Sequence, residues 1–292
     1  MKAPPFQYVK PQSLAEVFEL LGEHGDDAQI LAGGQSLMPT LHLRLSSPTV
    51  LIDINGLDEL AGISIDDGQV TIGALTRLAE VLKSDIVNAH LATLSRAMPH
   101  VAHVAIRNRG TFGGSIAYAD PAAELPACML ALDATLIVQS GQAKREIAAS
   151  EFFLGLYETA RTPGELLIGA RIPIDPPNRV NSFLELSRRH GDFAVVGLAA
   201  TANAVGDRLE DVRLAFFGCE DRAKLAGRAA LAVSGKRADA PTIDAAIDAL
   251  TEDLDPVANL LGNSATKRHL AAVLTRRALG ELARGVGEAT HA

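Results

Sequence analysis

Cysteine is nearly absent from this chain of 292 residues, since only Cys128 and Cys219 occur and they form no C-x-x-C pair. An iron–sulfur cluster or a four-cysteine zinc site needs about four protein ligands. This chain therefore cannot hold either group by itself. We interpret both cysteines as buried thiols that pack as small apolar side chains.

Aromatic residues and an excess of basic charge are also missing. Tryptophan is absent and aromatic residues make up only 4% of the chain, which disfavours a stacking surface for single-stranded nucleic acid. The formal net charge of −8 disfavours a nucleic-acid partner as well, because phosphate backbones are bound by basic surfaces.

Long hydrophobic runs are the third absence. No apolar stretch approaches the roughly 18 residues of a membrane helix, and no signal-peptide pattern follows the N-terminal Met-Lys-Ala-Pro-Pro. Hydrophobic residues nevertheless make up 48% of the chain, which is enough for a sizeable core. We therefore expect a globular protein located in the cytoplasm.

The apolar pattern predicts an α+β protein of two domains. Helical periodicity is found over about 14–23, 36–45, 75–104, 243–251 and 265–283, with a further short helix after Pro121. Apolar, β-rich runs predict strands at about 28–32, 49–54, 63–65, 70–72, 134–138, 144–147, 166–172, 182–187, 195–204 and 212–217. Regular β-α-β alternation is not apparent, which disfavours a Rossmann fold. The proline-rich segment 173–178 separates a first domain, 1–177, from a second, 178–292.

Two glycine-rich turns are the most informative local features. Ala32-Gly33-Gly34-Gln35-Ser36 follows a predicted strand and precedes a predicted helix, a geometry that directs backbone N–H groups at one point. Thr111-Phe112-Gly113-Gly114-Ser115 has the same character. Glycine permits a positive φ and the close approach of a phosphate. Together the turns favour a ligand with two phosphates or a dinucleotide bound between two lobes, and Arg44, Arg107 and Arg109 could neutralise its charge.

These segments resemble one known family. Residues 32–37 resemble the first FAD motif of the medium subunits of carbon monoxide dehydrogenase and related molybdenum hydroxylases, the xanthine dehydrogenase family. Residues 106–115 resemble the second motif, which continues through Ala-Asp-Pro-Ala-Ala-Glu-Leu-Pro at 119–126. Further similar segments are 151–153, 172–173 and 187–193, so the resemblance covers essentially the whole chain in order.

The resemblance implies a two-lobed FAD-binding domain of the vanillyl-alcohol-oxidase (PCMH) type, with lobes of about 1–57 and 58–177, plus a small C-terminal sheet-and-helix domain. The FAD pyrophosphate would lie against 32–36 and 111–115, with Glu124 near the ribityl or ribose hydroxyls and 188–193 near the isoalloxazine ring. No catalytic residue and no metal ligand is expected. The implied cofactor-binding set is Leu31, Ala32, Gly33, Gly34, Gln35, Ser36, Leu37, Ile106, Gly110, Thr111, Gly113, Gly114, Ser115, Ala119, Glu124, Leu167, Arg189, Asp192 and Phe193.

The resemblance also implies partner subunits. A large subunit with a molybdopterin cofactor would oxidise the substrate, and a small subunit with 2Fe-2S clusters would carry electrons to FAD on this chain. The assembly would be a dimer of heterotrimers. The substrate could be carbon monoxide, an aldehyde, a purine or an N-heterocycle, and the final acceptor a quinone, NAD or oxygen.

Four positions depart from the family pattern as we know it. Gln35 stands where His or Thr is commoner, and Glu124 where eukaryotic relatives have Asp. Ala105 stands where many relatives have Gln. Phe193 replaces a Tyr found in some relatives, so a hydrogen bond from that position to the flavin is not expected.

Other residue constellations and functions remain as alternatives. His100 and His103 could be metal ligands, but no acidic residue stands at helical spacing from them. Ser187, His190 and Asp192 have the residue types of a hydrolase triad, but the G-x-S-x-G turn is missing. Two further hypotheses are a self-sufficient FAD oxidoreductase of the same fold and a non-enzymatic nucleotide-binding subunit.

Overall fold

The N-terminal lobe is built on a three-stranded parallel sheet of order β1-β3-β2. In the computed structural model, which describes residues 2–289, its elements are β1 (Gln7–Val9), α1 (Leu14–His24), β2 (Ala28–Leu31), α2 (Leu37–His42) and β3 (Val50–Asp53). The predicted strands at 28–32 and 49–54 are confirmed, but β1 and the parallel pairing were not predicted. The α1 helix begins as predicted, because the Ser13 hydroxyl accepts a hydrogen bond from the Glu16 amide.

The second lobe is built on a five-stranded antiparallel sheet of order β4-β5-β10-β6-β7. The predicted strands at 63–65 and 70–72 are confirmed and form a hairpin, and Asp67 and Gly68 at its tip both have a positive φ. The elements are β4 (Ile63–Asp66), β5 (Gln69–Gly73), α3 (Leu78–Lys83), α4 (Asp85–His90), α5 (Ala92–Ala97), α6 (Val104–Arg107), α7 (Phe112–Tyr118), α8 (Glu124–Ala131), β6 (Thr135–Ser140), β7 (Ala143–Ala148), α9 (Ala149–Phe152), β8 (Phe153–Gly155), β9 (Glu158–Thr159) and β10 (Leu166–Pro173).

The prediction of one helical region over 75–104 is wrong in its continuity. The segment contains three short helices, α3, α4 and α5, separated at Ser84 and Leu91. Ser84 has an extended backbone and caps α4 by accepting a hydrogen bond from the Val87 amide. The buried residues keep a helical spacing across these breaks, so periodicity alone did not reveal them.

The C-terminal region is a four-stranded antiparallel sheet of order β11-β12-β13-β14 with helices on one face. The three long strands were predicted, whereas β14 and α10 were not. The elements are β11 (Arg179–Ser187), β12 (Ala194–Val205), β13 (Arg208–Phe217), β14 (Lys224–Leu225), α10 (Gly227–Val233), α11 (Ala240–Asp253) and α12 (Ser264–Ala289). Residues 290–292 of the predicted second domain lie outside the described residues.

The C-terminal sheet is buried on both faces, and one face packs on the first domain. Along β12, Leu198 and Ala200 point into the core formed with α10, α11 and α12. Ala194 and Ala199 join the core of the first domain instead, next to α8. One hydrophobic cluster is therefore shared between the two domains. Within residues 2–289, none of the helices has the length and apolar character needed to cross a membrane.

Candidate functional site

The first glycine turn presents free backbone amides. It connects the end of β2 at Leu31 to the start of α2 at Leu37, and Gly34 has a φ of +70°, a left-handed conformation that favours glycine. Within the described part of the chain, the amides of Gly34, Gln35 and Ser36 donate no hydrogen bond to a protein acceptor. Three neighbouring unpaired N–H groups suit an anionic ligand such as a pyrophosphate.

The second glycine turn differs from our expectation. The amide of Phe112 donates to the Thr76 carbonyl at 2.9 Å, and the amide of Gly113 donates to the Ala74 carbonyl at 2.8 Å. The Gly114 amide donates to the Thr111 hydroxyl, which caps α7. The idea of a second set of free amides at these positions is therefore wrong, because the protein itself satisfies them. That residues 111–115 face the pyrophosphate stays a prediction.

The two turns are in direct contact with each other. A Cβ atom at Gly33 would lie 2.4 Å from the Arg109 carbonyl oxygen and 2.7 Å from the Gly110 Cα. A Cβ atom at Gly114 would lie 4.0 Å from the Ala32 Cβ. The structure thus brings together both predicted segments, and protein packing alone requires glycine at position 33.

Glu124 is buried at the first residue of α8, with an exposed fraction of 7%. The pKa of Glu124 is raised to about 7, chiefly by burial and also by the negative charge of Asp120, while a backbone hydrogen bond opposes the increase. Ala119, which ends α7, has a left-handed backbone with a φ of +52°. A carboxyl group whose pKa is raised towards neutral pH can, in its protonated form, donate as well as accept a hydrogen bond.

A second buried carboxyl group lies nearby and was not predicted from the sequence. Burial raises the pKa of Glu185 to about 8, and the negative charge of Glu124 adds to this increase. The Glu185 Oε2 atom lies 3.7 Å from the Nδ1 atom of His100, and the His100 ring contacts the His190 ring edge to face. Burial and the charge of His190 lower the pKa of His100. The local signal in the sequence was weak: a single glutamate between Leu184 and Leu186 in β11.

The alternatives raised for these histidines find little geometric support. In the part of the chain that the structure describes, no group of three His, Cys, Asp or Glu side chains could hold a metal ion. The Ser187 hydroxyl, a candidate nucleophile of a hydrolase triad, donates to the Arg189 carbonyl at 2.9 Å. His100, which is half-buried, thus lies between the buried carboxyl group of Glu185 and the exposed ring of His190.

The segment predicted to approach the flavin ring forms an exposed loop after β11. Arg189, Asp192 and Phe193 are exposed, with Phe193 at 59%. Gly191 has a φ of +84°, and a Cβ atom there would lie 2.8 Å from the Ala102 carbonyl oxygen. The loop therefore packs against the segment that precedes α6 and the second glycine turn.

The three arginines that were predicted to neutralise phosphate differ in whether their side chains are free to do so. The Arg107 guanidinium donates to the carbonyls of Val101 and Ala102, both at 2.8 Å, so it supports the backbone there. Arg44 and Arg109 are exposed.

The remaining predicted cofactor contacts vary in burial. Leu31, Leu37, Ile106 and Ser115 are half-buried near the turns. Leu167 is 3% exposed within the core of the first domain, so its side chain contacts protein. Contact of these residues with the cofactor stays a prediction.

Comparison with known proteins gives matches over nearly the whole chain. A family model for the FAD binding domain in molybdopterin dehydrogenase matches residues 4–175. A model for the CO dehydrogenase flavoprotein C-terminal domain matches residues 181–282. The chain is 38% identical to the 6-hydroxypseudooxynicotine dehydrogenase complex subunit alpha of Paenarthrobacter nicotinovorans, covering 96% of this chain and 95% of that protein.

A second relative and a solved structure support the same family assignment. The chain is 35% identical to the glyceraldehyde dehydrogenase medium chain of Sulfolobus acidocaldarius, covering 97% of this chain and 100% of the relative. A solved structure of carbon monoxide dehydrogenase from Hydrogenophaga pseudoflava superposes with a TM-score of 0.95 at 35% identity, covering 98% of this chain and 99% of that one. The predicted two-lobed fold with a C-terminal domain is thereby confirmed. This chain belongs to the family of FAD-binding medium subunits of molybdopterin dehydrogenases.

Proposed function

We propose that this chain transfers electrons from the iron–sulfur clusters of a partner subunit to an external acceptor by means of one non-covalently bound FAD. The observation that carries this proposal is the first glycine turn. Its unpaired amides at Gly34, Gln35 and Ser36 lie beside the second glycine turn, in a chain of the FAD-binding family.

The chain's own residues would bind and orient the cofactor. The first turn would donate hydrogen bonds to the pyrophosphate, and the second would allow close approach at Gly114. Glu124 would bond to ribityl or ribose hydroxyls, and the loop containing Phe193 would lie towards the ring. When bound, FAD supplies redox chemistry that can proceed one electron at a time and deliver electrons in pairs.

The metal centres of such an enzyme would lie on other chains. Cys128 and Cys219 are both buried, at 0% and 1% exposure, and stand alone as thiols. Burial raises the pKa of Cys219 to about 12, which disfavours the thiolate needed for metal ligation. The proposed partners are a small subunit with 2Fe-2S clusters and a large subunit with molybdopterin, in a dimer of heterotrimers in the cytoplasm. The domain division at 177/178 is part of this proposal.

Substrate choice would also reside on the large subunit. The relatives are named for a nicotine derivative, for glyceraldehyde and for carbon monoxide, yet two of them resemble this chain at 38% and 35% identity over nearly its full length. Similar subunits therefore occur in enzymes that are named for chemically different substrates. We propose the same for this chain and leave its substrate and final acceptor open.

Anaerobic mixing tests the electron-transfer role. The purified chain with bound FAD is mixed with carbon monoxide, an aldehyde, a purine or an N-heterocycle, and its visible absorbance is followed. We expect the oxidised spectrum to persist until the small and large subunits are added, and then to bleach. Rapid bleaching of the isolated chain by an organic substrate would support the self-sufficient oxidoreductase instead.

Acid precipitation tests the cofactor itself. We expect all yellow colour in the supernatant, since no covalent link is proposed. A colourless protein after purification, which then fails to take up added FAD, would support the non-enzymatic subunit. Colour that stays on the precipitate would contradict non-covalent binding.

A further inference from the structure

Asn55 connects the first glycine turn to the rest of the N-terminal lobe. Its side-chain Nδ2 atom donates to the Ala32 carbonyl at 2.8 Å and to the Asp53 Oδ1 atom at 2.6 Å. Its Oδ1 atom accepts a hydrogen bond of 2.8 Å from the Nη2 atom of Arg77. The Ala32 carbonyl belongs to the peptide bond that leads into Gly33, so Asn55 contacts the entrance of the turn.

Arg77 connects the same side chain to the second glycine turn. Its Nη1 atom donates to the Arg109 carbonyl, which belongs to the peptide bond leading into Gly110. The backbone around Arg77 is itself held there, since the Leu78 amide donates to the Gly110 carbonyl at 3.0 Å. One asparagine and one arginine thus connect the carbonyl that precedes Gly33 in the first turn with the carbonyl that precedes Gly110, the residue before the second turn.

We propose that Asn55 and Arg77 are positioning residues of the FAD site, which fix the spacing and the orientation of the two glycine turns without contacting the cofactor. This inference rests on the proposed FAD site. In a trans peptide unit the C=O and the N–H point in opposite directions. When Asn55 holds the Ala32 carbonyl, the Gly33 N–H points away from Asn55. When Arg77 holds the Arg109 carbonyl, it fixes the surface on which Gly33 packs.

Contacts within the protein fix the orientation of the Asn55 side chain. Asp53 accepts hydrogen bonds from the Asn55 backbone N–H at 2.9 Å, from the Asn55 side-chain Nδ2 atom and from the Tyr8 hydroxyl. Burial favours a higher pKa of Asp53, but these hydrogen bonds outweigh it and hold that pKa below its ordinary value. The ionised carboxylate of Asp53 accepts from the Asn55 Nδ2 atom, and the guanidinium of Arg77 donates to the Asn55 Oδ1 atom. Only one orientation of the Asn55 side-chain amide satisfies both partners.

Asn55→Ala and Arg77→Ala test the inference against Asn178→Ala. Asn178 is a matched control, because its Nδ2 atom also donates to a carbonyl, that of Ala204, at 2.9 Å, but in the C-terminal domain. The FAD dissociation constant of the flavin-free full-length chain is measured by fluorescence, and the melting temperature of the same sample is recorded. We expect about a tenfold or larger loss of FAD affinity in Asn55→Ala and Arg77→Ala, and less than twofold in Asn178→Ala.

The double variant separates a shared network from two independent sites. If both residues act through one connection, the Asn55→Ala/Arg77→Ala variant should lose little more affinity than either single variant. Arg77→Lys, which keeps the charge but lacks the forked guanidinium, should recover only part of the affinity. It also keeps the test valid should Arg77→Ala fold poorly.

Wild-type affinity in folded Asn55→Ala and Arg77→Ala, or losses no greater than in Asn178→Ala, would overturn the inference. Failure of the wild-type chain to bind FAD would instead overturn the proposed function.

Discussion

Gly33 and Arg109 are in direct backbone contact, since a Cβ atom at Gly33 would lie 2.4 Å from the Arg109 carbonyl oxygen. No side chain stands between the two glycine turns at this point. The contact links segments about 75 residues apart in the sequence, as counted from their positions. Any side chain at position 33 must move one backbone segment away from the other, because Cβ atoms essentially never lie this close to a non-bonded atom.

Gly33→Ala should therefore lower FAD occupancy of the purified protein at least severalfold, and should destabilise the chain by about 1–3 kcal/mol through overpacking. Gly22→Ala is the control, because Gly22 lies in α1 with no atom within 4 Å of an added Cβ. The measurements are the ratio of flavin to protein absorbance and urea unfolding. Equal flavin occupancy in the two variants would contradict the contact.

Gly34→Ala tests mainly the left-handed turn, because an added Cβ would meet only side-chain atoms, a Leu31 Cδ at 3.1 Å and the Met38 Cγ at 3.3 Å. Gly34 has a φ of +70°, and Gly68 in the β4–β5 hairpin has a φ of +71°. An added side chain should cost each position about 1–2 kcal/mol of stability, for the same conformational reason. Only Gly34→Ala should lose FAD affinity, because only that turn presents the free amides. Titration of both flavin-free variants with FAD would show the difference, and equal affinities would indicate that the first glycine turn is structural only.

Thr201→Val probes the packing of the two domains. The buried Thr201 hydroxyl, on β12, donates to the carbonyl of Ala131, the last residue of α8, at 3.0 Å. Valine has the same shape but leaves that carbonyl unpaired, so we expect a loss of about 1–2 kcal/mol in urea unfolding. Thr251→Val is the control, because the Thr251 hydroxyl donates to the Asp248 carbonyl on an exposed helix where water can replace it. Equal losses would contradict a stabilising role of the interdomain hydrogen bond.

Glu185→Gln should change the pH dependence of stability. The pKa of Glu185 is raised from 4.5 to about 8 in the folded chain, so the folded state binds this proton more tightly than the unfolded state does. The stabilisation is complete below pH 4.5 and is lost as the pH rises towards 8 and above. Glu124, with a pKa of about 7, acts in the same direction, whereas His100 acts in the opposite one.

Wild-type stability should accordingly fall between pH 5 and 9 by on the order of 2 kcal/mol more than that of Glu185→Gln. Denaturant unfolding at several pH values measures this difference. Glu210→Gln, on an exposed position of β13, should follow the wild-type curve. A Glu185→Gln curve parallel to the wild type would show that this carboxyl group does not titrate in the folded chain within that range.

Local sequence signals predicted the elements whose causes are local. The start of α1 after Ser13, the strands on either side of Asp67-Gly68 and the apolar run along β12 each depend on a few adjacent residues. The first glycine turn belongs with them, since its φ and its free amides follow from its own sequence. The breaks at Ser84 and Leu91 were missed, because they leave the apolar spacing unchanged.

Features created by distant partners could not be predicted in the same way. Asn55 and Arg77 are ordinary polar residues until the fold places them beside Ala32 and Arg109. The amides of the second glycine turn are satisfied by carbonyls of Thr76 and Ala74, some 35 to 40 residues earlier in the chain, as counted from their positions. Backbone amides that the sequence suggests are free can thus be hydrogen-bonded by carbonyls from distant parts of the chain.

The shared core has a consequence for dividing the chain. Phe183 and Phe217, from the C-terminal sheet, are buried in the same cluster as Leu125 and Met129 of α8. A fragment that ends at the proline-rich segment would expose this side of α8 to water, and the remaining fragment would expose one face of its sheet. Each fragment would then expose a hydrophobic patch that the other fragment buries in the intact chain. Each fragment should aggregate when it is expressed alone, and co-expression of both should restore soluble protein. The two domains would then depend on each other for folding.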